Sequence, residues 1–571
     1  MKWNEFLRAV DLYAGIGGWS LGLRLAGIEV VASYEWWQPA IDTHNGNHGG
    51  SVGPVDIRKL SLDDLPCDID LVVGSPPCTE FSYANRGGSG DLAEGMKDLV
   101  KFFEVVAHLK PRFWAMENVP RVADVLEAGF ANRKHPLYRF RHLGARIEVV
   151  DFSEFGAPQA RRRCIATNIP FEAIRALESK LKPKTLGDVI SALAAEETIV
   201  DPVWGVSLPA AKLTEMETEV PLGPEELRMN RDAKVYHSVY NNMAFPDLLD
   251  APSRTVTATC TRVSRESIVL ADPKVAGSFR RLTVRERGCL QGFPITYQFY
   301  GRSFAEKAKM IGNAIPPTFT YLLSLAAKGV TLEEFEGLDA VGLTLSLPEK
   351  LAPITPPDQE GRTYPLSRGF RAALPNLRFK SGMRFDLSND TSRPSAAWRV
   401  RFFFGSSKDI REVDLDGSTI EDLHGNVLIG GALRCAAADM QSMERDLRAT
   451  TPQALQSIWA RKSEGRGPFA LVDELGELAA TVHTLIEEAI GDDEKVAIEV
   501  ENYILAIAAA ASVDKPLVSA SKLRKYSSWV LAGMIVGDWF NTLDWHQLDK
   551  QLFKSRARSP QEALQVFPVP A

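Results

Sequence analysis

Residues 69–82 read Ile69-Asp70-Leu71-Val72-Val73-Gly74-Ser75-Pro76-Pro77-Cys78-Thr79-Glu80-Phe81-Ser82. The first five form a compact apolar run of the kind that becomes a buried strand in an α/β sheet. Gly74 and Ser75 then stop the strand, and two prolines, each with a fixed φ, stiffen the loop that follows. Cys78 is therefore expected just beyond the carboxyl end of a parallel strand, where open α/β sheets place their chemistry. A thiol there serves as a nucleophile once its surroundings favour the thiolate. A small buried cysteine is the commoner fate of this residue type, and the loop alone leaves both readings open.

Upstream, Ala9-Val10-Asp11-Leu12-Tyr13-Ala14-Gly15-Ile16-Gly17-Gly18 reads as a short strand running into a glycine-rich turn. Leu21, Leu25 and Ile28 follow at helical spacing. Such a turn lets backbone approach a ligand closely and offers free N–H groups at a helix start, although many ordinary turns share it. The next unit, residues 29–36, is a second strand ending in Glu35 and Trp36. A carboxylate at that place suits ribose hydroxyls, and an indole beside it suits an adenine face. Asp56-Ile57 is a weaker third candidate for contact with the base.

Downstream, Leu92 to Leu109 reads as a helix with Leu99, Phe102, Phe103 and Val106 on one side. Phe113-Trp114-Ala115-Met116 is then a strand that delivers Glu117 and Asn118 at its carboxyl end. The cluster Gln159-Ala160-Arg161-Arg162-Arg163 follows Val149 to Phe152 and reads by itself as a solvated charge run or as a site element.

At 571 residues the chain is too long for one core, so at least two domains are expected. Its 45% hydrophobic and 24% charged residues are those of a soluble globular protein. A net charge of −7 gives no global attraction to nucleic acid, so any such binding needs a local basic face. Six cysteines without a CxxC pair argue against a zinc site or a disulfide framework and suit a reducing cytoplasm. The first residues lack an apolar signal core, and the most apolar late stretch, Ile504 to Val513, is too short to span a bilayer. A cytoplasmic location is expected.

With these motifs in hand, the chain resembles the cytosine-C5 DNA methyltransferases, which use S-adenosylmethionine. Six segments carry the likeness in family order: residues 11–18, Ser75-Pro76-Pro77-Cys78, Glu117-Asn118-Val119, Gln159-x-Arg161-x-Arg163, residues 281–286 leading to Gly292-Phe293-Pro294, and residues 312–317. It extends from Met1 to about Ala327. Tyr13 stands where phenylalanine is usual, and Thr79 where glutamine usually follows the cysteine.

The resemblance implies a Rossmann-like class I methyltransferase domain with a mixed seven-stranded sheet, over residues 1–190 and 279–330. A target-recognition lobe is implied at residues 191–278. It also implies roles. Cys78 adds to C6 of a cytosine flipped out of double-stranded DNA; Glu117 holds or protonates N3; Arg163, with Arg161, reaches O2 and positions Glu117. Asp11, Tyr13, Ala14, Gly15, Gly17, Gly18, Glu35, Trp36, Asp56, Ile57, Pro76 and Asn313 are the implied cofactor residues. Gln159, Arg254, Arg262 and Arg265, with Arg280, are candidates for DNA contact. No metal is implied. A cognate restriction endonuclease or defence-system proteins are candidate partners. An amino-methyltransferase of similar fold would carry an aromatic residue at the place of Cys78. The rival readings are a tRNA cytosine-C5 methyltransferase and an inactive DNA-binding regulator.

The proline-rich residues 346–365 read as a linker. Beyond it, residues 366–571 form an α+β domain of unknown type. Bases and aromatics alternate through Arg384-Phe385 and residues 398–404, which suggests strands that either contact nucleic acid or form a half-buried sheet. From Leu433 the chain reads as helical, with Leu471, Leu475, Leu478, Val482 and Leu485 in one stripe. Pro357-Asp358-Gln359-Glu360 faintly resembles a nuclease carboxylate pair but lacks the lysine that should follow, so no endonuclease is expected.

Overall fold

A computed structural model describes residues 6–50, 52–78, 81, 91–235, 243–273, 275–357, 364–379, 382–391, 397–406, 409–415, 423, 425–447, 450–461, 465–491, 494–510 and 520–543. Thr79 and the Asp358–Glu360 carboxylates lie outside the described residues. The chain divides into two compact units, one holding residues 6–235 and 243–357, the other residues 364–543.

The first unit is built on strands β1 (Arg8–Leu12), β2 (Glu29–Tyr34), β3 (Leu71–Gly74), β4 (Phe113–Asn118), β5 (Arg146–Asp151), β6 (Gln159–Ala160) and β7 (Arg162–Thr167). All but β6 form one sheet in the order β2-β1-β3-β4-β7-β5. Strands β1 to β4 run parallel, and β7 runs antiparallel to both neighbours. Between them come helices α1 (Gly18–Leu25), α2 (Gln38–His48), α3 (Leu92–Leu109) and α4 (Arg121–Ala131). Asp91 starts α3 by accepting from the N–H groups of Ala93 and Glu94, an ordinary acidic N-cap. Its apolar side, with Leu99, Phe102 and Phe103, then packs on the sheet at Trp114 and Met116. The Phe103 and Trp114 rings meet edge to face at 5.5 Å.

The described sheet has six strands where seven were expected. The segment that would extend the edge beside β2 makes a single parallel bridge, Glu35 to Pro54. Pro54 has no N–H to continue a ladder, and Asp56 at once caps a short 3-10 helix, Ile57–Lys59. Within residues 191–278, Ser253–Arg254 is a two-residue strand paired with β6. A helix runs from Leu186 to Leu193 behind a Thr185 capping box.

The proline-rich segment is not a free linker along its whole length. Lys307, fully buried in helix Phe304–Asn313, pairs with Glu215 and donates to the carbonyl of Pro353 at 2.6 Å. Tyr300 donates to the carbonyl of Lys350, and the Ala352 N–H donates to Gln298 Oε1 at 3.2 Å. Ala352 and Thr355 are buried. Residues 350–355 thus form a strap on the first unit, fixed by backbone groups that a composition-based reading does not see. Lys307→Met is expected to leave Glu215 buried and unpaired, lowering the stability of the full-length protein by about 3 kcal/mol or more. Thermal unfolding measures the loss, and adding Glu215→Gln should recover much of it.

In the second unit, strands Arg371–Arg378, Arg384–Asp390, Ala397–Ser406 and Asp409–Asp414 form an antiparallel sheet in chain order. Phe385, Val400, Phe402 and Val413 are buried. Helix Ala520–Thr542 packs close to this sheet: a Cβ on Gly533 would lie 2.6 Å from the Phe385 ring. Three arginines of this region, Arg371, Arg384 and Arg401, are paired, while Arg399 is exposed. Arg371 and Arg384 converge on Asp386 at 2.7 and 3.0 Å and lie over the Phe403 ring, and Arg401 meets Glu412 at 2.9 Å. The sheet is half-buried, with these three arginines ion-paired on it. Leu471, Leu475, Leu478 and Val482 are buried in helix Pro468–Ile490, as core packing requires.

Candidate active site

Strand β1 ends in Tyr13, whose φ of 55° turns the chain away from the sheet. The turn is tied to the end of β2 by two bonds: Ala14 N–H to the Tyr34 carbonyl at 3.0 Å, and Gly15 N–H to Glu35 Oε2 at 2.9 Å. The other Glu35 oxygen accepts from the N–H groups of Trp36 and Trp37. Trp36 is 68% exposed, an indole held by its backbone and open on its face. Asp11 lies buried under the turn and accepts from Ser20 Oγ at 2.7 Å, while its Oδ1 has no partner. Burial pushes this carboxyl up to about 7 against the pull of that hydrogen bond. Ile57 is buried, whereas Asp56 is exposed and caps the Arg58 N–H.

The segment at residues 312–317 comes back to this turn, as the motif order implied. Asn313 ends helix Phe304–Asn313 with its side chain exposed, and the next turn of chain lies directly on α1. A Cβ on Gly18 would sit 2.3 Å from the Ile315 carbonyl oxygen. Thr320 Oγ1 donates to the Gly18 carbonyl at 2.8 Å from helix Pro317–Ala327.

Beside the turn, the loop after β3 is fastened from two sides. Trp19 Nε1 donates to Ser75 Oγ at 3.0 Å, and Asn118 Nδ2 donates to the carbonyl of the buried Pro76 at 3.1 Å. Asn118 thus locks the loop carrying the half-buried Cys78 to the end of the strand carrying Glu117. Because β7 runs against β4, its first residues, not its last, arrive at this carboxyl edge. That reversal places Arg163 Nε 3.0 Å from Glu117 Oε1, with both side chains largely buried. Burial raises the Cys78 thiol above its ordinary value; the Arg163 charge opposes this, Glu117 adds to it, and Arg161 opposes it. Thiol, carboxyl and guanidinium therefore share one electrostatic site.

Other expected residues have different work. Arg161 is 1% exposed and donates to two backbone carbonyls, Val256 at 3.1 Å and Gly312 at 2.9 Å. These bonds clamp the recognition lobe and the cofactor-side segment to the sheet. Gln159 is fully buried, bonding Gln291, the Leu290 carbonyl and the Val256 N–H. Arg254 makes a two-pronged pair with Asp247 and donates to the carbonyls of Arg265 and Ser267. Arg262 makes one with Glu226 and reaches Glu219 at 3.1 Å, and Arg280 makes one with Glu286. Arg265 is half-buried with its Nε enclosed. The arrangement makes Gln159, Arg254, Arg262 and Arg280 parts of the lobe's framework. Sequence reasoning missed the locking roles of Asn118, Trp19 and Thr320, whose partners are 42, 56 and 302 residues away. Asn118 alone had a signal, its place beside Glu117.

No helix among the described residues is long and apolar enough to cross a membrane, and none of their His, Cys, Asp and Glu side chains form a group suited to a metal ion. A parallel sheet reversed by its antiparallel β7, with a glycine turn after β1 and an acidic end to β2, defines an α/β methyltransferase. Residues 7–326 match the sequence profile of the C-5 cytosine-specific DNA methylase family. The chain belongs to that family and is a DNA (cytosine-5)-methyltransferase. It is 28% identical over 319 residues to the Type II methyltransferase M.HindV of Haemophilus influenzae, covering 54% of this chain and 92% of that one. With M.AplI of Arthrospira platensis, also a Type II methyltransferase, identity is 30% over 349 residues, covering 57% and 87%. The crystal structure of the S. pombe Dnmt2 methyltransferase aligns with 57% of this chain and 99% of its own, at 20% identity and a TM-score of 0.40.

Proposed function

We propose that the protein transfers the methyl group of S-adenosylmethionine to C5 of cytosine in one specific sequence of double-stranded DNA, through a covalent bond between Cys78 and C6 of a flipped-out base. The observation that carries this reading is the Arg163–Glu117 pair, 3.0 Å apart and bearing electrostatically on Cys78 at the carboxyl edge of the sheet. The residues present suit the methyl donor. Asp11 Oδ1 is buried without a partner beneath the turn, the Glu35 carboxylate is pinned beside it, and the Trp36 indole is open. Glu35 and Trp36 would hold the nucleoside, and the turn at residues 13–18 with Asn313 the methionine part. Bound there, S-adenosylmethionine supplies an electrophilic methyl group on a sulfonium.

This chain's residues prepare the base. Glu117, held by Arg163, shares a proton with N3 and draws electrons from C6. Cys78 loses its thiol proton to solvent water and adds there as thiolate, forming an S–C6 bond as the C5–C6 π pair moves onto C5. C5, now electron-rich, takes up the methyl group. Transfer of the C5 proton to a water molecule restores the C5–C6 double bond and expels the Cys78 thiolate, so the enzyme is regenerated. Since these atoms lie inside the duplex stack, the base must leave it first. The Type II names of the relatives support a restriction-modification setting with a cognate endonuclease as partner.

Gly18→Ala is expected to weaken S-adenosylmethionine binding by about tenfold or more, because the new methyl group would press the Ile315 carbonyl out of the turn. Calorimetric titration reads this directly. The function as a whole is tested by base-resolution sequencing of 5-methylcytosine in DNA from methylation-free bacteria expressing the protein or its Cys78→Ser variant. Methylation in one short sequence context, absent in the variant, is expected; no 5-methylcytosine in DNA would overturn the reading.

A further inference from the structure

Tyr13 adds a hydroxyl where the family usually has phenylalanine, and the hydroxyl has a dedicated partner. Tyr13 Oη donates to Asp98 Oδ1 at 3.2 Å, and Asp98, on α3, is only 3% exposed. Arg58 reaches the same carboxylate, Nε to Oδ1 at 2.9 Å and Nη2 to Oδ2 at 2.6 Å. It also bonds the Glu94 side chain and carbonyl one turn earlier in α3. Burial and the Asp98 charge push the Tyr13 phenol up, so it remains a donor.

Three segments meet at this carboxylate. Tyr13 is where β1 becomes the glycine turn, and Arg58 lies two residues past Asp56, whose carboxylate caps its N–H. Asp98 belongs to α3, packed against the sheet between them. Tyr13 also sits at φ 55°, a left-handed conformation that a residue with a Cβ keeps only when its surroundings hold it. A charge-assisted bond on the end of its ring is such a hold.

We propose that Asp98, Tyr13 and Arg58 are a positioning triad for the methyl donor. Asp98 fixes the glycine turn through the Tyr13 hydroxyl and the Asp56–Ile57 segment through Arg58, so both sides of the donor site are set before binding. The triad acts on donor affinity and not on the chemistry at Cys78. This rests on the donor binding at the glycine turn, as proposed above.

Steady-state kinetics of the full-length protein test it, on a duplex carrying the sequence found by 5-methylcytosine sequencing. Tyr13→Phe removes one oxygen and restores the usual residue, so the fold is kept. The KM for S-adenosylmethionine is expected to rise about tenfold, with kcat and the KM for DNA unchanged. In an Asp98→Asn background, which itself raises that KM, Tyr13→Phe should add nothing further. Glu104→Gln, also on α3, breaks only the surface pair with Arg139 of the segment Pro136–Leu143 and should leave all three constants alone. An unmoved KM in Tyr13→Phe, a fall in kcat instead, or full additivity with Asp98→Asn would each overturn the triad. Calorimetry separates the two levels: a wild-type protein that does not bind S-adenosylmethionine overturns the donor site itself, whereas normal wild-type binding with an unmoved variant overturns only the triad.

Discussion

Replacing Cys78 by serine is expected to abolish methyl transfer, a loss of about 10⁴-fold or more, of the order seen when a covalent nucleophile is removed. A hydroxyl at this place is far harder to ionise than a thiol, and nothing described around it would take its proton. Glu117 is committed to Arg163, and the Arg163 charge helps only a group already able to become an anion. Binding of S-adenosylmethionine should persist in the variant, because the turn after β1 makes its bonds to Glu35 without Cys78. Labelled-methyl incorporation and calorimetry on one preparation distinguish the two effects, and full turnover by the serine variant would rule out the covalent route. The wild-type pH profile carries the same signature. Burial raises the thiol, so at neutral pH the thiolate is a minor form, and the rate of the chemical step should climb as pH rises toward the raised value.

Glu117→Gln should lower single-turnover methyl transfer by about 10³-fold, within the range for loss of a positioned acid-base group. The amide keeps the size of the side chain but cannot pass a proton to N3. It also leaves the Arg163 guanidinium, 85% buried by its 15% exposed side chain, beside a neutral partner. Some loss of stability is therefore expected, and thermal unfolding alongside the kinetics separates it from the catalytic effect. A variant that folds normally and turns over at the wild-type rate would remove Glu117 from the mechanism.

Much of this site was legible because it lies where strands end. Val72 and Val73 announce a buried strand and Pro76-Pro77 announce its stop, so Cys78 could be placed at the edge of a sheet before any geometry was known. Phe113 to Met116 did the same for Glu117. The resemblance then brought in Arg163, although its reason is topological: β7 runs backwards, and a sequence does not write strand direction. Lost from view were groups whose role depends on distant partners. Arg254 and Arg262 look like free cations in the chain, and only folding brings Asp247 and Glu226 to them. Among the described residues the sheet has six strands, and beside β2 Pro54 stands where a ladder would need an N–H.

The strap at residues 350–355 bears on how such enzymes acquire new appendages. Similarity to the family ends at residue 326, yet the buried ammonium of Lys307 depends on the carbonyl of Pro353. The unit that must be inherited together is therefore longer than the unit that is recognisably related. A gene fusion joined at the limit of similarity would leave that ammonium with Glu215 alone, while one joined past Thr355 would carry its second acceptor with it. Because these bonds are to backbone, they hold the strap's length and path, and the buried Ala352 and Thr355 limit the side chains at those two places. A spacer of set reach is what this arrangement requires.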